Sequence, residues 1–346
     1  MQPSPECTAL IVLAYQEEEE DSLAAVLPAY VEHSTARGRV LRLMGDGEVC
    51  SDHLGLLAAG EERCAASRAI AEALLEHGAE WDVADFRAVS AEDSATQELS
   101  NALAKAGCRV AVSGGPNTWA IDLPETWEQF LAMQSKSHRK QLRRSERSFA
   151  AAEDAHWELV DNSTAYDEVW PVMVDLHQRR RQSLGEPGCF ASPRYAAFHA
   201  DISKRLLQSG KLRLSTTVLD GRPVAAEYHF GDGATTYAYQ GGLEPAAESK
   251  GPGQLSLMVA IMHAITEGHT TFDLLRGDES YKPHWRAAPR ATNNIEIVPP
   301  RSSAILRYRA WTSLRSTKRW LSGASSKAPA DRPVHGTAAT GGSPAC

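Results

Sequence analysis

Three things are scarce in this 346-residue chain, and each scarcity removes a class of function. The first is excess positive charge. The formal net charge is −8, so nothing draws the chain as a whole to nucleic acid or to an anionic membrane. The second is paired cysteine. Cys7, Cys50, Cys64, Cys108, Cys189 and Cys346 are scattered, with no C-x-x-C pair and no Cys/His cluster at zinc spacing. Free thiols in a reducing compartment are the simplest reading, and no metal is expected. The third is the long apolar run. No stretch of about 18 apolar residues occurs, and no basic region followed by an apolar one opens the chain. No transmembrane segment is expected; the cytoplasm is the expected compartment, with a peripheral place at the inner face of the membrane as the second choice.

What remains is ordinary for a soluble globular protein, with 42% hydrophobic and 23% charged residues. The length suffices for two domains with separate cores. An apolar run, Ala9–Leu13, precedes the acidic block Glu17–Asp21, which reads as a solvated turn. Another apolar stretch follows over Leu23–Tyr30, where Pro28 argues against a central helix. Glu61–His77 has helical spacing, with Ala65, Ile70, Leu74 and Leu75 as core residues. Trp81–Phe86 reads as a strand, Glu92–Lys105 as a helix and Cys108–Val112 as a strand. This alternation predicts an α/β half.

One long helix is predicted between Pro124 and Ala150. Trp127, Leu131, Leu142 and Phe149 share one of its faces, and Lys136, Arg139, Lys140, Arg143, Arg144 and Arg147 the other, against the single acid Glu146. That density of charge exceeds what solubility needs, and it suits a phosphate, a pyrophosphate or tRNA. Trp157–Val160 reads as a strand, and Tyr166–Gln182 and Pro193–Gln208 as helices. Three β-patterned runs follow, Lys211–Leu219, Pro223–Phe230 and Ala234–Gly241. Asp220-Gly221 and Asp232-Gly233 separate them, and such pairs suit two-residue hairpins because both central residues need φ > 0. A three-stranded meander is predicted. After it come a Gly-rich loop, a helix (Gln254–Glu267) and strands at Thr270–Leu275 and Asn293–Val298.

The chemistry concentrates near that loop. Lys250-Gly251-Pro252-Gly253 lies between strand and helix, where flexible backbone and unpaired helix N–H groups form an anion cradle. Lys250 adds charge and Gln254 opens the helix. Glu227 and His229 share a face of the middle meander strand, and Glu227 is a candidate general base. Asp273, inside an apolar strand, needs a partner such as Arg276 or Lys282, and is the other candidate. Arg276, Asp278 and Glu279 follow the strand's end, where α/β folds gather polar site groups.

The order strand, two helices, meander, Gly loop, helix, strand resembles the GNAT acyltransferase core, whose loop and helix hold the pyrophosphate of coenzyme A. Glu248 departs from that superfamily's usual Gln or Arg. Trp127 to Arg147, Asp220-Gly221-Arg222-Pro223-Val224-Ala225-Ala226, Tyr239-Gln240-Gly241-Gly242, Gly251-Pro252-Gly253 and the run from Phe272 through Arg276-Gly277-Asp278-Glu279 to Tyr281-Lys282 resemble the CelD-type family. That family is GNAT-related and associated with cellulose and exopolysaccharide biosynthesis. The Tyr-Lys ending is similar to that of the Fem peptidyltransferases, tandem GNAT folds that take an aminoacyl group from tRNA. The resemblance implies an α/β (α+β) GNAT-like fold in tandem, the first half reduced and lacking its leading strand and two helices. Either that half is a reduced copy or an N-terminal portion is omitted.

The implied function is N-acyl transfer from acyl-CoA, acetyl-CoA included, to an amine on a sugar or cell-envelope precursor. No metal takes part. Glu227 or Asp273 would manage the proton, Tyr281 would protonate the leaving thiolate, and Lys282 would stabilise an oxyanion or hold a phosphate. Lys250, Gly251, Gly253 and Gln254 would bind the donor, and Arg139, Arg143, Arg276, Asp278 and Glu279 the substrate. The alternatives are aminoacyl-tRNA-dependent transfer, the one case with a nucleic-acid partner, and a non-catalytic accessory module of a polysaccharide synthase. The expected divisions are 1–123 for the reduced half, 124–152 for the basic helix and 153–300 for the catalytic domain. Residues 301–321 are expected as a basic aromatic helix, packed on the domain or lying on lipid, and 322–346 as a disordered tail.

Overall fold

The computed structural model describes residues 7–16, 22–58, 60 and 62–323, without the side chains of Ser249, Lys250 and 316–323. The predicted acidic turn at Glu17–Asp21 and the predicted tail from residue 324 onward lie outside those residues, while 322 and 323 belong to a helix. The chain forms two compact units, the first from residues up to Pro116 and from Ala291 onward, the second from Asn117–Arg290.

The first unit opens with β1 (Cys7–Tyr15) and β2 (Leu23–Ser34), an antiparallel pair in which Ile11 faces Pro28. Period-two alternation buries Val12 and Ala14 and leaves Ile11, Leu13 and Tyr15 exposed. The Pro28 carbonyl still accepts from the Met44 N–H, so the proline lacks only a donor. β3 (Gly38–Leu43) and the short β4 (Leu57–Ala58) both pair with β2. Helix α1 (Arg63–Glu76) buries Ala66, Ile70, Ala71 and Leu74. Ile70 and Leu74 therefore lie where the spacing put them, while Ala65 is exposed and Leu75 only half-buried. β5 (Val83–Ser90) runs parallel to β3, paired at Val40–Val83 and Leu41–Ala84. Helix α2 (Ser94–Lys105) is capped by Asp93, whose carboxylate accepts from the N–H groups of Ala95 and Thr96, and β6 (Arg109–Gly114) follows.

The second unit begins with β7 (Thr118–Asp122), a strand with no counterpart among the predicted elements. The single helix expected over 124–150 is two. Helix α3 (Trp127–Met133) starts in a capping box of Thr126 and Gln129; helix α4 (Lys136–Ala150) starts at Ser135, whose hydroxyl accepts from the His138 N–H. Gln134 and Ser135 adopt ψ near 150°, which ends one helix and caps the next.

β8 (His156–Leu159), α5 (Ser163–Ser183) and α6 (Pro193–Gln208) precede the predicted meander, which is β9 (Leu212–Leu219), β10 (Arg222–Asp232) and β11 (Thr235–Leu243). Asp220 and Gly221 at the first turn both have positive φ, 52° and 69°. Next come α7 (Pro252–Thr266), β12 (Thr271–Arg276) and β13 (Ala288–Arg290). The sheet order is β13-β7-β12-β11-β10-β9-β8. One face packs Leu212, Leu214, Ala226 and Tyr228 against Val169, Met173 and Leu176 of α5 and Tyr195 of α6. The other packs Ile121 and Phe272 with Leu255, Met258 and Ile261 of α7 and Phe130 of α3.

The chain then returns to the first unit. β14 (Thr292–Val298) enters the first sheet between β5 and β6, in the order β1-β2-β3-β5-β14-β6. The divisions therefore fall at Pro116 and Ala291 and not near 123, 153 and 300, because β14 completes the earlier sheet and β7, α3 and α4 belong to the later unit. The units repeat one motif: a hairpin, a crossover helix (α1 or α7), a parallel partner strand, and a strand taken from elsewhere in the chain.

Helix α8 (Ser302–Gly323) lies in the first unit. Ala304 and Tyr308 are buried against Val40, Val83 and Val298, and Trp311 packs beside them. The Tyr308 hydroxyl donates to Glu296 (3.0 Å), and the Arg37 guanidinium stacks over Trp311 at 4.6 Å. Of the two outcomes expected for this helix, packing holds for these two aromatics, which are turned inward and not toward lipid; Trp320 has no described side chain. No helix among the described residues is long and apolar enough to cross a membrane.

Candidate active site

The second sheet contains a fork. β11 and β12 are parallel and pair at Thr235–Thr271, Thr236–Phe272 and Tyr237–Asp273, with no ladder pair beyond. Two irregularities bend the strands there. Leu275 on β12 has φ +56°, a conformation that costs a non-glycine residue about 1–3 kcal/mol and persists only where its surroundings hold it. On the other side the β10–β11 register shifts at Tyr228/His229.

Glu227 stands at the fork. A Cβ on Gly241, its partner on β11, would lie 2.8 Å from Glu227 Oε2, so the glycine leaves room for the carboxylate. His229 Nε2 lies 3.2 Å from the same oxygen, and both side chains are largely buried, 4% exposed for the histidine and 12% for the glutamate. Tyr281 is half-exposed. Burial, then Glu279 and Glu227, push its phenol well above the ordinary tyrosine range. It thus keeps its proton at neutral pH beside the carboxylate that would act as base.

The loop expected to cradle an anion lies directly before α7, after a 3-10 turn and not directly after a strand. Pro245–Lys250 is a short 3-10 turn, and Gly251 (φ +63°) opens α7 with Pro252 in the first helical position. No side chain among the described residues caps the helix, which leaves its first N–H groups, at the positive dipole end, without a side-chain partner there. A Cβ on Gly253 would press on Leu243 at 3.1 Å. Gln254 accepts from the Gln141 amide of α4 at 2.6 Å, which joins the basic helix to the cradle, and its own Nε2 is buried without a partner among the described residues. The Lys250 side chain lies outside the described residues. Glu248, the departure from the superfamily pattern, pairs with Arg180 at 3.5 Å, and Glu244 pairs with Arg179. The loop's acids are thereby neutralised by α5.

Other sequence-predicted residues have structural duties. Lys282 is 1% exposed, and its ammonium donates to the carbonyls of Leu275, Arg276 and Gly277 (3.1, 2.9 and 3.0 Å) and pairs with Glu279 (2.9 Å). Its three protons go to three carbonyls and its charge to Glu279, so Lys282 fastens the loop and is committed away from an oxyanion or phosphate. Asp273 is 2% exposed and accepts from the Leu275 N–H at 2.7 Å, bracing the strained residue. Asp278 accepts from Trp119 Nε1 at 3.0 Å. Arg143 pairs with Glu128 at 2.6 Å, while Arg139 is half-buried on the same helix. Arg276 sits at the end of β12. Sequence reasoning missed Trp119, because β7 itself was not foreseen. No group of His, Cys, Asp and Glu among the described residues could hold a metal ion.

Residues 136–283 match the family described as acetyltransferase (GNAT) domain. The domain is of the acyltransferase type. It spans α4 to the Lys282 loop and so contains the fork, the cradle and Glu227. No curated protein matches the chain. Among solved structures, the crystal structure of FemX superposes with a TM-score of 0.60 at 10% identity, covering 85% of this chain and 89% of that one. A conserved protein of unknown function from Bacteroides thetaiotaomicron VPI-5482 gives 0.54 at 10% identity, over 83% and 86% of the two chains. These likenesses extend the shared fold over both units.

Proposed function

We propose that the protein is an N-acyltransferase of the CelD type that moves an acyl group from acyl-CoA to an amine on a sugar or exopolysaccharide precursor. The observation that carries this reading is the fork, with an uncapped helix N-terminus following one strand and the Glu227–Tyr281 pair beside it. Coenzyme A's pyrophosphate would sit on the Gly251–Gly253 turn, with Gln254 and α4 beside it. The thioester would reach into the fork. Glu227 takes the proton of the attacking amine as the carbon–nitrogen bond forms, and Tyr281 gives its proton to the departing thiolate.

Acetyl-CoA is expected to raise the melting temperature, and Gly253→Asp to abolish the rise by adding negative charge at the helix start and pressing its Cβ on Leu243. With acetyl-CoA and glucosamine, Glu227→Gln should lower kcat about a hundredfold and leave the KM for acetyl-CoA unchanged. Absence of any melting shift with acetyl-CoA, or full activity in Glu227→Gln, rejects the reading.

The basic face of α4 supports a second reading, aminoacyl transfer from tRNA. It requires RNA binding that weakens steeply with salt and is lost when Arg143 and Arg144 are neutralised. RNA binding without an acetyl-CoA shift would favour it.

A further inference from the structure

We propose that His229 is a positioning residue for Glu227, held in its donor tautomer by a single water lodged beneath α7. The inference rests on the assignment of Glu227 as base, and goes beyond it to what aims and tunes that carboxylate. An ionised carboxylate only accepts, so the 3.2 Å contact requires a proton on His229 Nε2. The imidazole then keeps Nδ1 as an acceptor, and some donor must satisfy it to fix the tautomer.

The ring has little freedom to turn. It is packed edge-on against Phe272, with centroids 5.7 Å apart and planes at 83°. Beside it is a partly open cleft with about 10 Å³ of room, enough for one water, lined by His229, Trp157, Arg213, Ser215, Thr236 and residues of α7. Trp157 Nε1–H is buried and bonds to nothing among the described residues. Such an orphaned donor points to a polar occupant. Other lining groups have partners already: Thr236 meets His269 (2.6 Å), and Arg213 pairs with Glu267 (2.8 Å). A water accepting from Trp157 and donating to His229 Nδ1 completes both.

The charged and titratable groups around the pair are Arg213 on β9, His263 and Glu267 on α7, His269 after it, and Tyr281 and Glu279 on the loop. The donor from His229 offsets the desolvation of a buried carboxylate and holds it turned toward the fork. Without it the carboxyl rotates and holds its proton to higher pH.

The test follows the Glu227 carboxyl directly, by ¹³C NMR of protein labelled at glutamate Cδ, with Glu227→Gln to assign the signal. His229→Leu should raise the titration midpoint by about one pH unit, and the acid limb of kcat/KM for acetyl-CoA and glucosamine should move with it. His229→Gln, which keeps an amide donor, should restore most of that shift. A midpoint unchanged in His229→Leu overturns the proposal, since a merely packed histidine would not move it. Full activity in Glu227→Gln together with a moved midpoint rejects the base assignment and retains the positioning. A high-resolution crystal structure should show one water between Trp157 and His229; an empty cleft there overturns the role of the water.

Discussion

Lys282→Met should destabilise the second unit by about 3–5 kcal/mol, enough to lower its melting temperature by several degrees. The ammonium is the hub of the turn that follows β12, joining three consecutive carbonyls and the Glu279 carboxylate in a site with almost no solvent. Removing it leaves three carbonyls and an acid to find partners where water is scarce, and each orphaned acceptor costs about 1–3 kcal/mol. The same turn holds Leu275 at positive φ, a conformation the surroundings must enforce. Glu279→Gln should cost less, because that carboxylate is 27% exposed and its loss leaves the three carbonyl bonds in place. Urea or thermal melts of both variants check this. A Lys282→Met protein that melts like the wild type but has lost kcat would return Lys282 to the catalytic role its position suggested.

That reversal illustrates how much of the protein can be read from its residues. The meander with its Asp220-Gly221 turn, the Gly251–Gly253 loop before α7 and the Glu227/His229 alternation follow from local rules of turn chemistry and strand parity. The second turn moves one residue on, to Gly233-Ala234, because Asp232 still pairs with Thr235. Ser135 is an ordinary cap signal, but the strong period over 127–149 conceals it, so one helix was expected where two exist. β14 is recognisable as a strand, yet nothing in Asn293–Val298 says that it pairs with β5, some two hundred residues earlier. β7 is short and lies just past a Gly-Gly-Pro turn, and without it the Trp119–Asp278 contact is out of reach. Lys282 shows the sharpest limit. A lysine after an acidic run suits an anion site or a structural hub equally well, and only the direction of its Nζ decides.

Acid should weaken the second unit well before its carboxylates titrate. His199 is 2% exposed, with Nδ1 facing the Tyr228 hydroxyl (3.3 Å) and Nε2 the Tyr239 hydroxyl (3.0 Å). Burial pushes its pKa down to about 4. The unfolded chain holds a histidine near 6.5, so between the two values the unfolded state binds more protons. The stability that neutral His199 contributes is therefore complete above about 6.5 and is lost as the pH falls toward 4, a total of about 3 kcal/mol for a difference of roughly 2.5 units. Burial lowers His138, His177, His263 and His269 in the same direction, and all belong to this unit. In the first unit, by contrast, Asp82 and Asp85 sit below the ordinary carboxylate range: burial would raise them, but hydrogen bonds from Arg39 to Asp82 and from Arg87 and Arg37 to Asp85 prevail. Their contribution is kept until the pH falls below about 4. Urea melts at pH 7 and pH 4.5 thus separate the two groups. His199→Gln should reduce the loss between those pH values by most of 3 kcal/mol. Equal losses in the variant and the wild type would show that the Tyr228–His199–Tyr239 network accepts the proton without strain.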